Sequence, residues 1–323
     1  MTVSNFVNGR FELMSPEMRA RVERSVKALN YRRNYGAHLL RTSKLWSIGI
    51  LVVDASDHYL SDVYTTQIIS GISNTLNENG FSTLLQGLKP DAFDTSAMFR
   101  NVQTDGLCVL LSGSDQQRAH QFDVIKAFRQ PTVLFLEAFD ETPETICSVR
   151  QDDYAAARKL ARHVLRRDPE TVLILTSGEN EWAAVNQRVA GITDEFHDAG
   201  RGTRLDVVQT GDGRQHDVIA AIRAHSVAHG LPGAIMAIND EIALAAVKLL
   251  KQEGIDVPGQ TCVTGFNAFG LHDISDTTLT TVRSPAYDMG CTGAKELLQA
   301  LETGRFERND ILFPVEILPG SSA

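Results

Sequence analysis

Few residues of this chain have types and spacings that could support chemistry, and they lie far apart. Asp152 and Asp153 are adjacent carboxylates, the raw material of a general acid/base pair. On a strand they would point to opposite faces, and at a helix start one would cap backbone N–H groups, so the pair does not read as a dyad. His225 and His229 stand one helical turn apart and could share a metal ion. No third ligand stands at a suitable spacing, so a solvated helix face is expected there, and no metal or cofactor is expected anywhere. The chain contains no H-E-x-x-H, no G-x-x-x-x-G-K-[ST], no G-x-G-x-x-G after its first apolar run and no G-x-S-x-G. An enzyme is therefore not expected, and recognition is the class of function that remains.

Charge is distributed unevenly. Residues 1–45 carry nine Lys or Arg against three Glu, whereas the remainder carries 22 basic and 37 acidic side chains. An electropositive arm on an electronegative body suits a small module that meets phosphate, attached to a larger one that does not. No run of eighteen apolar residues and no secretory leader is present, so a cytoplasmic protein without a membrane partner is expected. Cys108, Cys147, Cys262 and Cys291 form no C-x-x-C, and the first three lie in strand-like runs as buried reduced thiols.

The arm reads as helices. One spans 2–8 and stops at Gly9, and a second opens with Ser15 as N-cap and Pro16 at its first position. Met18, Val22, Val26 and Leu29 follow at helical spacing, and 34–40 could form a third short helix. Gly36 would weaken that helix by about 1 kcal/mol relative to alanine. From Trp46 onward, apolar runs at 48–53, 82–85, 107–111, 132–136, 172–175, 234–238 and 263–266 read as strands. Helical stretches at 63–79, 155–165, 185–198, 241–252 and 286–301 alternate with them, and a last strand is expected over 311–318. This alternation implies parallel sheets with helices on both faces. Roughly 275 residues of it exceed one doubly wound unit, so an α/β protein of two similar lobes is expected.

The residues also carry a family likeness. Thr2-Val3-Ser4, Val7-Asn8-Gly9, Arg19 with Arg21-Val22, Leu29-Asn30-Tyr31, Asn34 and Leu40 resemble the DNA-binding domain of lac-repressor-type (LacI/GalR) regulators. Ile48-Gly49, Asp152-Asp153, Arg188 with Gly191, Asn239-Asp240, Gly265-Phe266-Asn267 and Leu279-Thr280-Thr281-Val282 are similar to that family's core. Each match is weak alone, but together they keep order and spacing over nearly the whole chain. The resemblance implies a periplasmic-binding-protein-like core of two parallel doubly wound sheets, preceded by a partial helical headpiece. Its implied parts are a helix-turn-helix at 1–33, a hinge at 34–45, a first lobe at 46–164 plus 282–312, and a second at 165–281 plus 313–323. It further implies a homodimer on a pseudo-palindromic operator, whose grip a small sugar-like effector shifts. A dimer rather than a tetramer is expected, since no heptad tail follows the last strand.

Site residues follow from the same likeness. On the DNA side they are Thr2, Ser4, Asn5, Arg10, Arg19, Tyr31, Asn34, Ala37 and Leu40. Ser4 and Asn5 would face base edges, with Asn suited to adenine, and Leu40 would wedge into the minor groove. On the effector side they are Tyr59, Leu60, Asp152, Arg188, Asn239, Asn267 and Ser284. Asp152 would accept from vicinal hydroxyls and Arg188 would offer a planar fork, unless the two pair with each other or cap helices. Asn239 ends a strand where open α/β sheets place ligands, with Asp240 as the helix cap. Tyr59 would meet the effector or pack in the core; Tyr154 and Trp182 would stack on a ring or cover a lobe. Asn267 stands where the family usually has Asp, and the aromatic that some members carry near Gly213 is missing, so the effector's class does not transfer. The family's first helix and turn have no counterpart before Thr2, which would leave Val3, Val7 and Val22 uncovered. That leaves two expectations open: an operator-binding regulator with a longer natural N-terminus, or a ligand-binding module that has lost specific DNA binding.

Overall fold

The computed structural model describes residues 2–7, 10–29, 44–101, 103–177, 182–211, 213–270, 272 and 276–323. The chain divides into two compact units, Met1–Leu45 and Trp46–Ala323. In the first, α1 (Thr2–Val7) precedes α2 (Pro16–Ala28). Ser15 caps α2, its Oγ accepting from the Met18 N–H at 3.2 Å, as its position ahead of a proline requires. Phe6 and Phe11 meet edge to face at 5.8 Å, and the Arg19 guanidinium lies 3.9 Å from the centre of the Phe11 ring. Val22 is buried, contrary to the expectation that it would stay uncovered, while Val3 is exposed. The helix expected at 34–40 lies outside the described residues, as do Tyr31, Asn34, Ala37 and Leu40.

The second unit is α/β throughout. It opens with β1 (Ser47–Val53), α3 (Val63–Glu78), β2 (Ser82–Leu88), α4 (Ala97–Arg100), β3 (Gly106–Leu110) and α5 (Asp115–Phe128). Then come β4 (Thr132–Phe135), β5 (Ile146–Gln151), α6 (Asp153–Leu165), β6 (Thr171–Thr176), α7 (Ala183–Ala199) and β7 (Arg204–Gln209). The chain continues through α8 (Gln215–His229), β8 (Ala234–Ala237), α9 (Asp240–Gln252), β9 (Cys262–Thr264) and β10 (Thr281–Arg283). It closes with α10 (Ala286–Thr303), β11 (Asp310–Phe313) and β12 (Glu316–Leu318). Two parallel sheets result, ordered β11-β5-β4-β3-β1-β2 and β7-β6-β8-β9, with β10 and β12 pairing antiparallel.

Both faces of each sheet are covered, which is why the central strands read as unbroken apolar runs. In β1, Ile48, Ile50 and Val52 face Ile68 and Ile72 of α3 and Met289 and Leu297 of α10. Leu51 and Val53 face the opposite layer, built on Phe93, Phe122 and Ile125. In the second sheet Leu173 and Leu175 pack on Val218 and Ile242, whereas Val172 and Ile174 pack on Leu160 and Phe196.

Two expectations are corrected. The run 311–318 is two strands in different sheets, because Pro314 lacks the N–H that would continue a ladder. Helix α6, expected within the first lobe, contributes its apolar face to the second sheet's core, so the first crossing between sheets falls at Asp152. Two further crossings follow, at Ser284-Pro285 and at Pro314-Val315.

Helices α3 and α10 approach so closely that each needs a glycine at the crossing. A Cβ on Gly71 would overlap the Tyr287 carbonyl oxygen, and one on Gly290 would overlap that of Ile68. Alanine at an open helical position stabilises by about 1 kcal/mol, so the sign of its effect reports the crossing. Gly71→Ala and Gly290→Ala should each destabilise the fold by roughly 1–3 kcal/mol in urea unfolding, and a raised midpoint would contradict this packing.

Candidate functional site

A cavity of about 770 Å³ lies between the two sheets, within the size range of small-molecule pockets. Its walls are the segments that leave the carboxyl ends of strands. Asp54 to Asp57 follow β1, Leu136 follows β4, Ser177 follows β6, and Ile238 and Asn239 follow β8. This is where open parallel sheets place ligands, since strand ends and helix N-termini converge there. Leu136 and Asn267, both in the lining, hold φ of 68° and 108°, a conformation that costs non-glycine residues free energy and collects at binding sites.

Arg188 is the buried cation of the site. It projects from α7, and its Nε donates to Asp153 Oδ1 at 2.7 Å and its Nη1 to the Ile238 carbonyl at 2.8 Å. Both members of the Arg188–Asp153 pair are 5% exposed. The guanidinium carbon lies 3.9 Å from the Phe266 ring centre and 5.8 Å from that of Tyr64. Gln151 adds an amide donor to the same Asp153 oxygen at 2.7 Å. Burial pushes the Asp153 carboxyl above the usual carboxylate range, and Arg188 pulls it back. Arg188 Nη2 has no hydrogen-bond partner among the described residues.

Asn267, nine-tenths buried, follows β9 and contributes to the lining. Its Oδ1 accepts from Ser284 Oγ at 3.1 Å, and its Nδ2 has no partner among the described residues. Across the cavity stand Asp62, which caps α3 by accepting from Thr65 N–H at 2.6 Å, and Tyr64. Trp182 and Phe269 pack against the first sheet's core, Phe269 edge to face with Tyr64 at 5.5 Å. The halves therefore touch through aromatic contacts beside the cavity.

Among the effector-side expectations, Arg188, Asn239 and Asn267 line the cavity. Ser284 stands one hydrogen bond behind Asn267. Asp152 does not line it and does not pair with Arg188; it caps α6, accepting from Ala155 N–H at 2.9 Å, while its neighbour Asp153 takes the guanidinium. Tyr59 packs over Gly87 against the first core, and Leu60 is exposed. Asn239, not Asp240, caps α9, its Oδ1 accepting from Ile242 N–H at 2.8 Å. Tyr154 donates its hydroxyl to Asp194 on the outer surface. His225 is buried against Asp206 at 2.8 Å, not solvated as expected, and no cluster of three metal-binding side chains occurs among the described residues. Cys108, Cys147 and Cys262 are buried free thiols. No motif in the sequence marks the wall formed by Asp54, Asp57, His58, Asp62 and Glu241, although the rule that ligands gather past strand ends points to Asp54.

Asp240 ties the second half's loops together. Its Oδ1 accepts from Thr281 Oγ1 at 2.6 Å and its Oδ2 from Ala268 N–H at 2.7 Å. Burial lifts its carboxyl to about 6 despite these bonds. A carboxyl raised on folding binds its proton more tightly in the native state, so this stabilising contribution is present at low pH and is lost as pH rises through about 6. Asp240→Asn is neutral throughout, so its melting temperature should gain on the parent's between about pH 5 and 7.5, and a pH-independent difference would contradict this.

No helix among the described residues is long and apolar enough to cross a membrane. In sequence the chain is similar to catabolite control protein A of Staphylococcus xylosus, at 24% identity over 98% of this chain and 93% of that protein. In structure it resembles a Lac repressor dimer bound to operator and the anti-inducer ONPF, with TM-score 0.84 and 21% identity over 99% and 94% of the two chains. It also resembles a complex of the transcriptional regulator CelR with cellobiose, with TM-score 0.73 and 19% identity over 99% and 94%. Residues 45–319, which hold both sheets and the cavity, match the profile of one family, and the chain belongs to it: the periplasmic binding proteins and sugar binding domain of LacI family.

Proposed function

We propose that this chain is an effector-responsive, DNA-binding transcriptional regulator of the repressor type, controlled by a small polar ligand held between its two halves. The observation that carries this is the cavity at the strand ends, with donors of Arg188 and Asn267 left unpartnered at its wall. Both side chains are buried as a whole while these donors face the cavity, where a hydroxylated ligand supplies them with acceptors. Asn239 keeps its amide nitrogen for the same ligand while its oxygen caps α9.

The basic unit supplies the DNA contact. Arg10 and Arg19 join the exposed Arg21, Arg24 and Lys27 of α2 to meet phosphates, and Thr2, Ser4 and Asn5 approach the bases. Protomers pair, and closure over the ligand turns one half against the other and thereby resets the distance between two headpieces. The relatives' names favour this reading: a Lac repressor bound to operator, and a CelR regulator bound to cellobiose. Catalysis has no part in it.

Removing Arg188 alone should cost roughly 3–5 kcal/mol, because Asp153 would remain buried without its cation. The double variant Asp153→Asn/Arg188→Met should recover most of that stability and yet lose the ligand's effect on DNA affinity; a retained effect would remove Arg188 from the site. Duplexes selected from a random pool should include a pseudo-palindromic site bound far more tightly than bulk DNA, with affinity falling steeply as salt rises. Uniformly weak, sequence-indifferent binding would instead favour a ligand-binding module without specific DNA recognition. Light scattering should give a dimer, and a monomer would contradict the coupling.

A further inference from the structure

The charges around the cavity do not balance, and the imbalance has a place. Asp57 is neutralised by Lys89 at 2.8 Å. Arg188 is committed to Asp153 at 2.7 Å, and Arg214, on the rim, has a partner of its own. Asp62 and Glu241 form no ion pair among the described residues, yet they line the same cavity from opposite halves. Each stands at a helix N-terminus, Asp62 capping α3 and Glu241 in the first turn of α9, so the helix ends already hold carboxylates and offer no site for an anion. Burial first, and then the nearby Asp62 and Asp240, lift the Glu241 carboxyl above its ordinary range. Closing the halves over a neutral molecule would bring these two carboxylates together without compensation.

We propose that the ligand is a small polyhydroxylated amine, whose ammonium sits between Asp62 and Glu241 while its hydroxyls accept from Arg188 Nη2 and Asn267 Nδ2. This deepens the reading of the cavity as the effector site and depends on it. The free donors of two nine-tenths-buried side chains, Arg188 and Asn267, fix the polar end of the molecule independently of the acidic wall. The family's usual Asp at position 267 would accept from a hydroxyl; Asn267 gives its oxygen to Ser284 and presents a donor instead. An anionic sugar would meet Asp62 and Glu241, while the Arg188 guanidinium already holds Asp153.

Calorimetry on the full-length protein with matched ring triplets tests this: glucose, glucosamine and glucuronate, and their galacto and manno counterparts, near pH 7. The aminated member of at least one triplet should bind about tenfold or more tighter than its neutral parent. Glu241→Gln, on an exposed helix turn, and Asp62→Asn, which remains a good N-cap, should each weaken the amine about tenfold and leave the neutral parent within about twofold. Neutral or acidic members binding as tightly as the amine, with that binding lost in Asn267→Ala, would overturn the amine and leave the effector site standing. Binding by no member of any triplet would overturn both.

Discussion

A guanidinium cannot lie in a protein interior without a partner, and the choice of partner for Arg188 organises everything around the cavity. Asp153, one residue past the crossing between sheets, holds it at 2.7 Å, and Gln151 steadies that carboxylate from the last position of β5. The pair is nearly sealed, so its attraction is strong and its rupture expensive. Because one fork of the guanidinium is fixed on Asp153 and the Ile238 carbonyl, the remaining nitrogen is oriented before any ligand arrives. Preorganisation of this kind lowers the cost of binding. The paired carboxylate also offsets the positive charge that the guanidinium presents to the cavity.

The same arrangement links recognition to motion. Arg188 rests on Phe266 in the second half and comes within 5.8 Å of Tyr64 in the first, while Phe269 reaches across to the same tyrosine. The connections between the halves are three short crossings, at Asp152, Ser284-Pro285 and Pro314-Val315. Asp152 caps a helix, and Ser284 holds Asn267. In the proposed mechanism the hinge and the ligand wall are thus built from adjoining residues, so that occupation of the cavity acts directly on the angle between the halves.

Much of this was legible in the sequence, for physical reasons that differ by element. Runs such as Ile48 to Val53 announce strands buried on both faces, and Ser15 ahead of Pro16 announces a helix start, because the chemistry involved is local. Strand β5 carries Arg150 and Gln151, and edge strand β7 mixes Arg204, Asp206 and Gln209 among its apolar side chains, so neither shows a long apolar run. Helix α5 was hidden by its polarity, with Arg118 and Gln121 buried through hydrogen bonds rather than apolar packing. Family likeness marks Arg188, Asn239 and Asn267, whereas nothing in the spacing of Asp152 and Asp153 says which of two adjacent carboxylates caps and which pairs. The acidic wall escaped because it forms only when two halves distant in sequence face each other.

The most direct measurement is a crystal structure of the protein with the compound that binds it most tightly. That compound should lie in the cavity between the sheets, with oxygens on Arg188 Nη2 and Asn267 Nδ2 and a nitrogen between Asp62 and Glu241. Its appearance anywhere else, such as the surface groove between β7 and α8, with the central cavity left to solvent, would contradict the account.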